Sequence, residues 1–326
     1  MAEYRVCGQV AGICAEAVVS ATASFELCRI IEIPVRHQFV GEQMPPVARA
    51  LAGVILAFQA FAALAADRPT VALTVRADRL FLPIEVNGRQ TEALLDSAAE
   101  SSLIDPTFAR ELELKVSGHE TARGSGGEQE AQFAQVSVHA ASVRMKDLTV
   151  AVVDLSDISR RLVGSQVKFI LGREFFDAAR LRIDIDGGSL QVLTRAEPVS
   201  GLALALTDHA GIESMPVRVE GIAAAAEFDL GNGSDVLIGK AFAERNGLLA
   251  PGRVIATRSG GGIGGKRDRE VLRLSTLELA GSTFRDVDAA VDAMDNAGEL
   301  NVGVKILRHF IVVTDFSQHR IWLQPR

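Results

Sequence analysis

Leu82-Pro83-Ile84-Glu85-Val86-Asn87-Gly88 runs on to Leu95-Asp96-Ser97-Ala98-Ala99-Glu100-Ser101-Ser102-Leu103-Ile104. Further along, Met215-Pro216-Val217-Arg218-Val219-Glu220-Gly221 runs on to Phe228-Asp229-Leu230-Gly231-Asn232-Gly233-Ser234-Asp235-Val236-Leu237-Ile238. In both stretches an aspartate follows the glycine by eight positions. A second pair of blocks closes each half. Ile170-Leu171-Gly172 leads to Asp184, and Asn301-Val302-Gly303 leads to Asp315, each aspartate twelve residues past its glycine. Two blocks repeated in the same order at nearly the same offset read as one supersecondary unit made twice. One carboxylate from each copy is what a two-aspartate site requires, so Asp96 and Asp229 are the first candidates for chemistry.

Local patterns place these residues. Phe81 to Val86 alternates around Pro83, and Asn87-Gly88 supplies a hairpin turn. Thr91 to Leu95 is the return strand, so Asp96 falls on a loop just past a buried strand. Asp105-Pro106 opens a short helix through Leu114, since Asp caps a helix and Pro suits its first turn. The matching helix runs from Ile238 to Asn246 and ends at Gly247. Each half also carries a glycine-rich hairpin. One is Thr121 to Ser137, with Gly124, Ser125, Gly126 and Gly127 at its tip. The other is Val254 to Leu274, with Gly260, Gly261, Gly262, Ile263, Gly264 and Gly265. Glycines at a hairpin tip permit close backbone approach to a ligand. Short strands, frequent turns and few helices define a mainly all-β chain of two tandem β-barrel lobes with short helices, at 67–197 and 198–326. Asp184 and Asp315 read as solvent-facing turn residues, and Arg267 and Arg269 as solvated side chains near the second hairpin.

Composition removes several classes. Apolar content of 48% and charged content of 23% suit a globular protein. A net charge of −7 with no basic block argues against nucleic acid as a partner. Cys7, Cys14 and Cys28 all precede the repeated part, which therefore has no thiolate zinc site and no cysteine nucleophile. The six histidines form no His-x-x-x-His pair, so neither a metal nor any other cofactor is expected. Gly260, Gly262 and Gly265 fit G-x-G-x-x-G, but Lys266 to Leu274 continues as an alternating strand, not as the helix a dinucleotide site needs. No serine sits in a G-x-S-x-G elbow.

The N-terminal region has its own signature. Arg49 precedes an apolar run from Ala50 to Leu64, followed by Ala63-Leu64-Ala65. Residues 44–66 thus read as a signal peptide starting at Met44, too short for a comfortable membrane span. The expected location is periplasmic or secreted, with no stable membrane span after cleavage. Residues 1–43 read as a non-native upstream extension or a disordered segment.

Leu94-Leu95-Asp96-Ser97-Ala98-Ala99-Glu100-Ser101-Ser102 resembles the Asp-Thr/Ser-Gly-Ala motif of retropepsin-like aspartic proteases. Ile170-Leu171-Gly172 resembles that family's second signature, and Phe228 to Asn232 with Asn301-Val302-Gly303 is a looser copy of both. The resemblance covers roughly residues 79–326, and with both motifs in one chain it resembles bacterial two-lobed aspartyl protease-family proteins. It implies two retropepsin/pepsin-like lobes related by a pseudo-two-fold axis, both in one monomeric chain. It makes Asp96 and Asp229 the catalytic dyad, with Ser97, Ala98, Leu230 and Gly231 supporting it. It makes Gly124 to Gly127 and Gly260 to Gly264 flaps over an extended polypeptide substrate. Two departures stand out. Leu230 lacks the hydroxyl that braces the dyad, and Ala98 replaces a glycine. The implied function is an exported aspartic-type endopeptidase. The alternative is a catalytically impaired peptide- or protein-binding module of the cell envelope.

Overall fold

Backbone pairing follows the repeat strand for strand. A computed structural model of the chain describes residues 70–209 and 211–326. The signal segment 44–66 and residues 1–43 lie outside the described residues. In the first half an eight-stranded sheet runs in the order Thr74–Arg76, Arg79–Val86, Arg89–Leu95, Phe169–Leu171, Leu103–Ile104, Val143–Val152, Gly127–Ala140, Ser117–Gly124. In the second half the order is Thr207–His209, Ile212–Val219, Ile222–Phe228, Leu300–Val302, Val236–Gly239, Ser282–Asp292, Arg267–Leu279, Val254–Gly260. Each sheet curls back on itself, through Arg79–Val86 against Gly127–Ala140 and Ile212–Val219 against Arg267–Leu279. The alternation read around Pro83 is real: Leu82, Ile84 and Val86 are buried while Pro83 is exposed.

A third sheet is built from both halves. Its six strands are Val71–Ala72, Ser189–Leu193, Arg180–Asp184, Phe310–Asp315, Arg320–Pro325 and Leu202–Ala205. Arg182 and Val313 hold the same place in the two closing blocks, and they pair with each other across its centre. The pseudo-two-fold axis therefore passes between them. Beneath the site, Phe176 of the first half stacks on Phe316 of the second at 5.3 Å, and Phe316 meets Phe228 edge-on at 6.1 Å. Burial of large aromatic surface from both halves fuses them into one core.

The helices differ in detail from the sequence reading. Pro106–Glu111 starts where expected, with the Asp105 carboxylate accepting from Thr107 N at 2.8 Å, and stops before Leu114. Its counterpart begins at Lys240, not at Ile238. Ile238 belongs to Val236–Gly239, a strand pairing in parallel with Ser282–Asp292, and that ladder claims the apolar run first. Asp315 is also not a solvent-facing turn residue. It is buried at the end of a strand, near Arg180 and accepting from Ser317 Oγ at 2.8 Å.

Candidate active site

Parallel pairing delivers each aspartate to the same place. Leu94 and Leu95 pair with Ile170 and Leu171, so the chain leaves the sheet at Asp96, whose N–H donates to Leu171 O at 3.0 Å. In the second half Phe228 pairs with Val302, and Asp229 N–H donates to Val302 O at 3.2 Å. The loops then hook over the closing glycines: Arg173 N donates to Ala99 O, and Val304 N to Asn232 O, both at 2.9 Å. A Cβ on Gly172 would sit 2.8 Å from the Ser101 backbone, and one on Gly303 would strike Asn232 O. Glycine is required where two backbones come this close.

The two loops face each other across the axis. Ser97, fully buried, donates from Oγ to Phe228 O at 2.7 Å and accepts from Leu230 N at 2.9 Å. One hydroxyl thereby ties the first loop to both sides of Asp229. The reciprocal hydroxyl does not exist, because the Leu230 side chain is buried in the apolar core. Gly231 lies against the Asp96 carboxyl so closely that any Cβ there would collide with Cγ and Oδ2. Ala98 occupies the matching position opposite and is partly exposed.

Both carboxyls are densely surrounded by protein, yet neither residue is closed off from water. Asp96 Oδ1 accepts from Ala98 N at 3.0 Å. Asp229 Oδ1 accepts from Gly231 N at 2.8 Å and Asn232 N at 3.0 Å, and its Oδ2 accepts from Asn301 Nδ2 at 2.7 Å. Burial and the negative charge of Asp229 push Asp96 up to about 7. Burial raises Asp229 as well, opposed by the Asn301 amide and the two loop N–H groups. The charge of Asp229 disfavours ionisation of Asp96, so the two acids titrate as a pair.

A buried guanidinium stands beside them. Arg79 is held by Ala77 O at 2.9 Å and Leu162 O at 3.2 Å, with Ser234 Oγ 3.5 Å away. Burial lowers its affinity for its proton, opposed in part by the charges of Asp229 and Asp96. Nothing in the local sequence marks Arg79, which opens an ordinary alternating strand.

The two glycine-rich hairpins are where the sequence places them, and their tips meet. Gly126 N donates to Ile263 O at 2.9 Å, and a Cβ on Gly126 would overlap the Gly265 backbone. Arg267 is exposed, as the sequence implies, but Arg269 is buried rather than solvated. Arg267 Nε donates to Gly126 O at 2.8 Å, and buried Arg269 donates to Ser125 O at 2.6 Å and to Asp292 at 3.0 Å. From the first half, Arg161 reaches Gly260 O at 2.9 Å and Gly265 O at 3.2 Å, while pairing with Asp157 at 2.6 Å. The G-x-G-x-x-G run is thus a hairpin tip between two antiparallel strands. Among the described residues, no cluster of three or more His, Cys, Asp or Glu is placed to hold a metal ion.

Residues 82–175 match the family model described as aspartyl protease. That span contains the Asp96 loop, the first glycine-rich hairpin and Ile170-Leu171-Gly172, so this part of the chain is similar to the aspartyl protease family. Among solved structures, a retropepsin-like aspartic protease from Rickettsia conorii is 18% identical, with a TM-score of 0.31 over 39% of this chain and 91% of that one. No curated protein matches the chain.

Proposed function

We propose that the protein is an exported aspartic endopeptidase that hydrolyses extended polypeptides with the Asp96–Asp229 pair. The observation that carries this reading is the Ser97 bridge. It binds the backbone on either side of Asp229 and so sets the two carboxyl-bearing loops against one another. A singly protonated pair has both groups the reaction needs. The ionised carboxylate takes a proton from water as its oxygen attacks the scissile carbonyl carbon. The protonated partner donates to the carbonyl oxygen. Collapse of the tetrahedral diol breaks the C–N bond, and a carboxyl proton passes to the departing amine. No covalent intermediate is required.

The remaining parts of the site serve this reading. Ala98 and Gly231 line the loops beside the dyad. The tips at Gly124 to Gly127 and Gly260 to Gly264 would close over an extended peptide, offering backbone hydrogen bonds and excluding water. Both lobes lie in one chain, so a monomer suffices. No described helix is long and apolar enough to cross a membrane. Periplasmic or secreted placement rests on the signal reading of residues 44–66.

A second reading, a peptide-binding module without turnover, draws on Leu230, which cannot supply the second bracing hydroxyl. Digestion of unfolded casein by wild type, Asp96→Asn and Asp229→Asn, with and without pepstatin, separates the two. The peptidase reading predicts pepstatin-sensitive cleavage by wild type only. Equal fragment patterns from all three proteins would rule it out, and peptide binding without cleavage would favour the module.

A further inference from the structure

The two halves repeat strand by strand, but not around the aspartates. Two positions before Asp96 stands Leu94, paired with Ile170, and both are buried in an apolar cluster. The equivalent pair in the second half is Glu227 and Asn301. Two polar side chains thus replace an apolar wall beside one aspartate only.

Their hydrogen bonds form a directed chain. Ser234 N–H can only donate, and it donates to Asn232 Oδ1 at 2.8 Å. The other end of that amide, Asn232 Nδ2, must then be the donor to Asn301 Oδ1 at 2.8 Å. This turns Asn301 Nδ2 toward the carboxylates, donating to Asp229 Oδ2 at 2.7 Å and to Glu227 Oε2 at 3.0 Å. A backbone N–H three steps away therefore fixes which end of Asn301 faces Asp229. Asp229 receives three donors in all, one of them the Asn301 side-chain amide, while Asp96 is met by the loop N–H groups of Ala98 and Ala99.

We propose that Asn301, oriented by Glu227 and Asn232, is a positioning residue that makes Asp229 the proton-accepting member of the pair and leaves the shared proton on Asp96. This rests on the peptidase reading and assigns its two roles: Asp229 deprotonates the attacking water, and Asp96 protonates the carbonyl oxygen. Donors directed at a carboxylate favour its charged form, and an apolar wall favours the neutral acid. Other charges bear on the pair. Arg79 faces both aspartates and favours ionisation of each. Glu227 opposes ionisation of Asp229, but burial and the charges of Asp229 and Asp292 push Glu227 itself toward its neutral form, against His209 and the Asn301 amide.

The test is a carboxyl ¹³C titration of Asp96 and Asp229 beside the pH profile of kcat/KM. The proteins are wild type, Asn301→Leu, and the double variant Glu227→Leu with Asn301→Ile, which rebuilds the apolar wall of the first half. In wild type Asp229 should ionise first. In both variants its ionisation should move up by about one pH unit or more, the worth of a hydrogen bond to a charged group. The acid limb of kcat/KM should follow it, with KM little changed. Wild type in which Asp96 ionises first, or variants that fold with the order and acid limb unmoved, would overturn the assignment. The titration does not depend on turnover. If wild type cleaves nothing yet titrates as stated, the peptidase reading falls and the assignment of the proton stands.

Discussion

Removing the Ser97 hydroxyl deletes both cross-axis hydrogen bonds at once and leaves Phe228 O and Leu230 N buried without partners. Each unsatisfied group costs about 1–3 kcal/mol, so Ser97→Ala should lose roughly 2–6 kcal/mol in urea denaturation. It should also lower kcat more than KM, because dyad geometry loosens while the groove remains. An unchanged denaturation midpoint would show that the bridge contributes nothing. The sequence made Ser97 legible, since it follows Asp96 directly and Leu230 offers no equivalent. Arg79 was not legible, because its contacts lie with Leu162 and Ser234, far away in the chain. The signal for Asn301 was present but unread: aligning the copies puts Glu227 and Asn301 where Leu94 and Ile170 stand.

At the scale of elements, the two glycine-rich hairpins are the clearest case of structure adding to sequence. Glycine content located both hairpins, because open tips need residues without side chains. What local pattern could not carry is the clasp between them. Arg161, Arg267 and Arg269 look like solvent-facing cations until folding brings carbonyls of the opposite tip against them. These are charge-assisted bonds, and on the proposed reading the groups they join would separate to admit a polypeptide. Arg161→Ala and Arg269→Ala should therefore speed hydrogen exchange at Gly124 to Gly127 and Gly260 to Gly265 by about tenfold each, with exchange elsewhere unchanged. Unaltered exchange at the tips would mean that backbone contacts alone hold them. The helix read from Ile238 shows the same boundary. A short apolar run fits a helix or a strand equally well, and only pairing with Ser282–Asp292 decides.

For the whole molecule, duplication was visible in the spacing of Gly88, Asp96, Gly172 and Asp184 against Gly221, Asp229, Gly303 and Asp315. The shared six-stranded sheet was not, since pairing Arg182 with Val313 demands a relation between halves that neither half states. That fusion sets the Asp96 and Asp229 loops against each other, and stability should register it. A carboxyl raised from 3.8 to about 7 binds its proton more tightly folded than unfolded. Its stabilising effect is therefore full below the unfolded value and is lost as pH rises through the folded one. Asp96→Asn should raise Tm by roughly 2–6 °C at about pH 7 and by little at about pH 4. A variant equally stable with wild type at both would contradict the buried pair. The most direct measurement of the central claim is the pH profile of kcat/KM for hydrolysis of an unfolded polypeptide by wild type, from about pH 3 to about pH 8. A proton shared between Asp96 and Asp229 predicts a bell whose alkaline limb falls near 7, abolished in Asp229→Asn. A flat profile, or turnover that survives loss of Asp229, would contradict it.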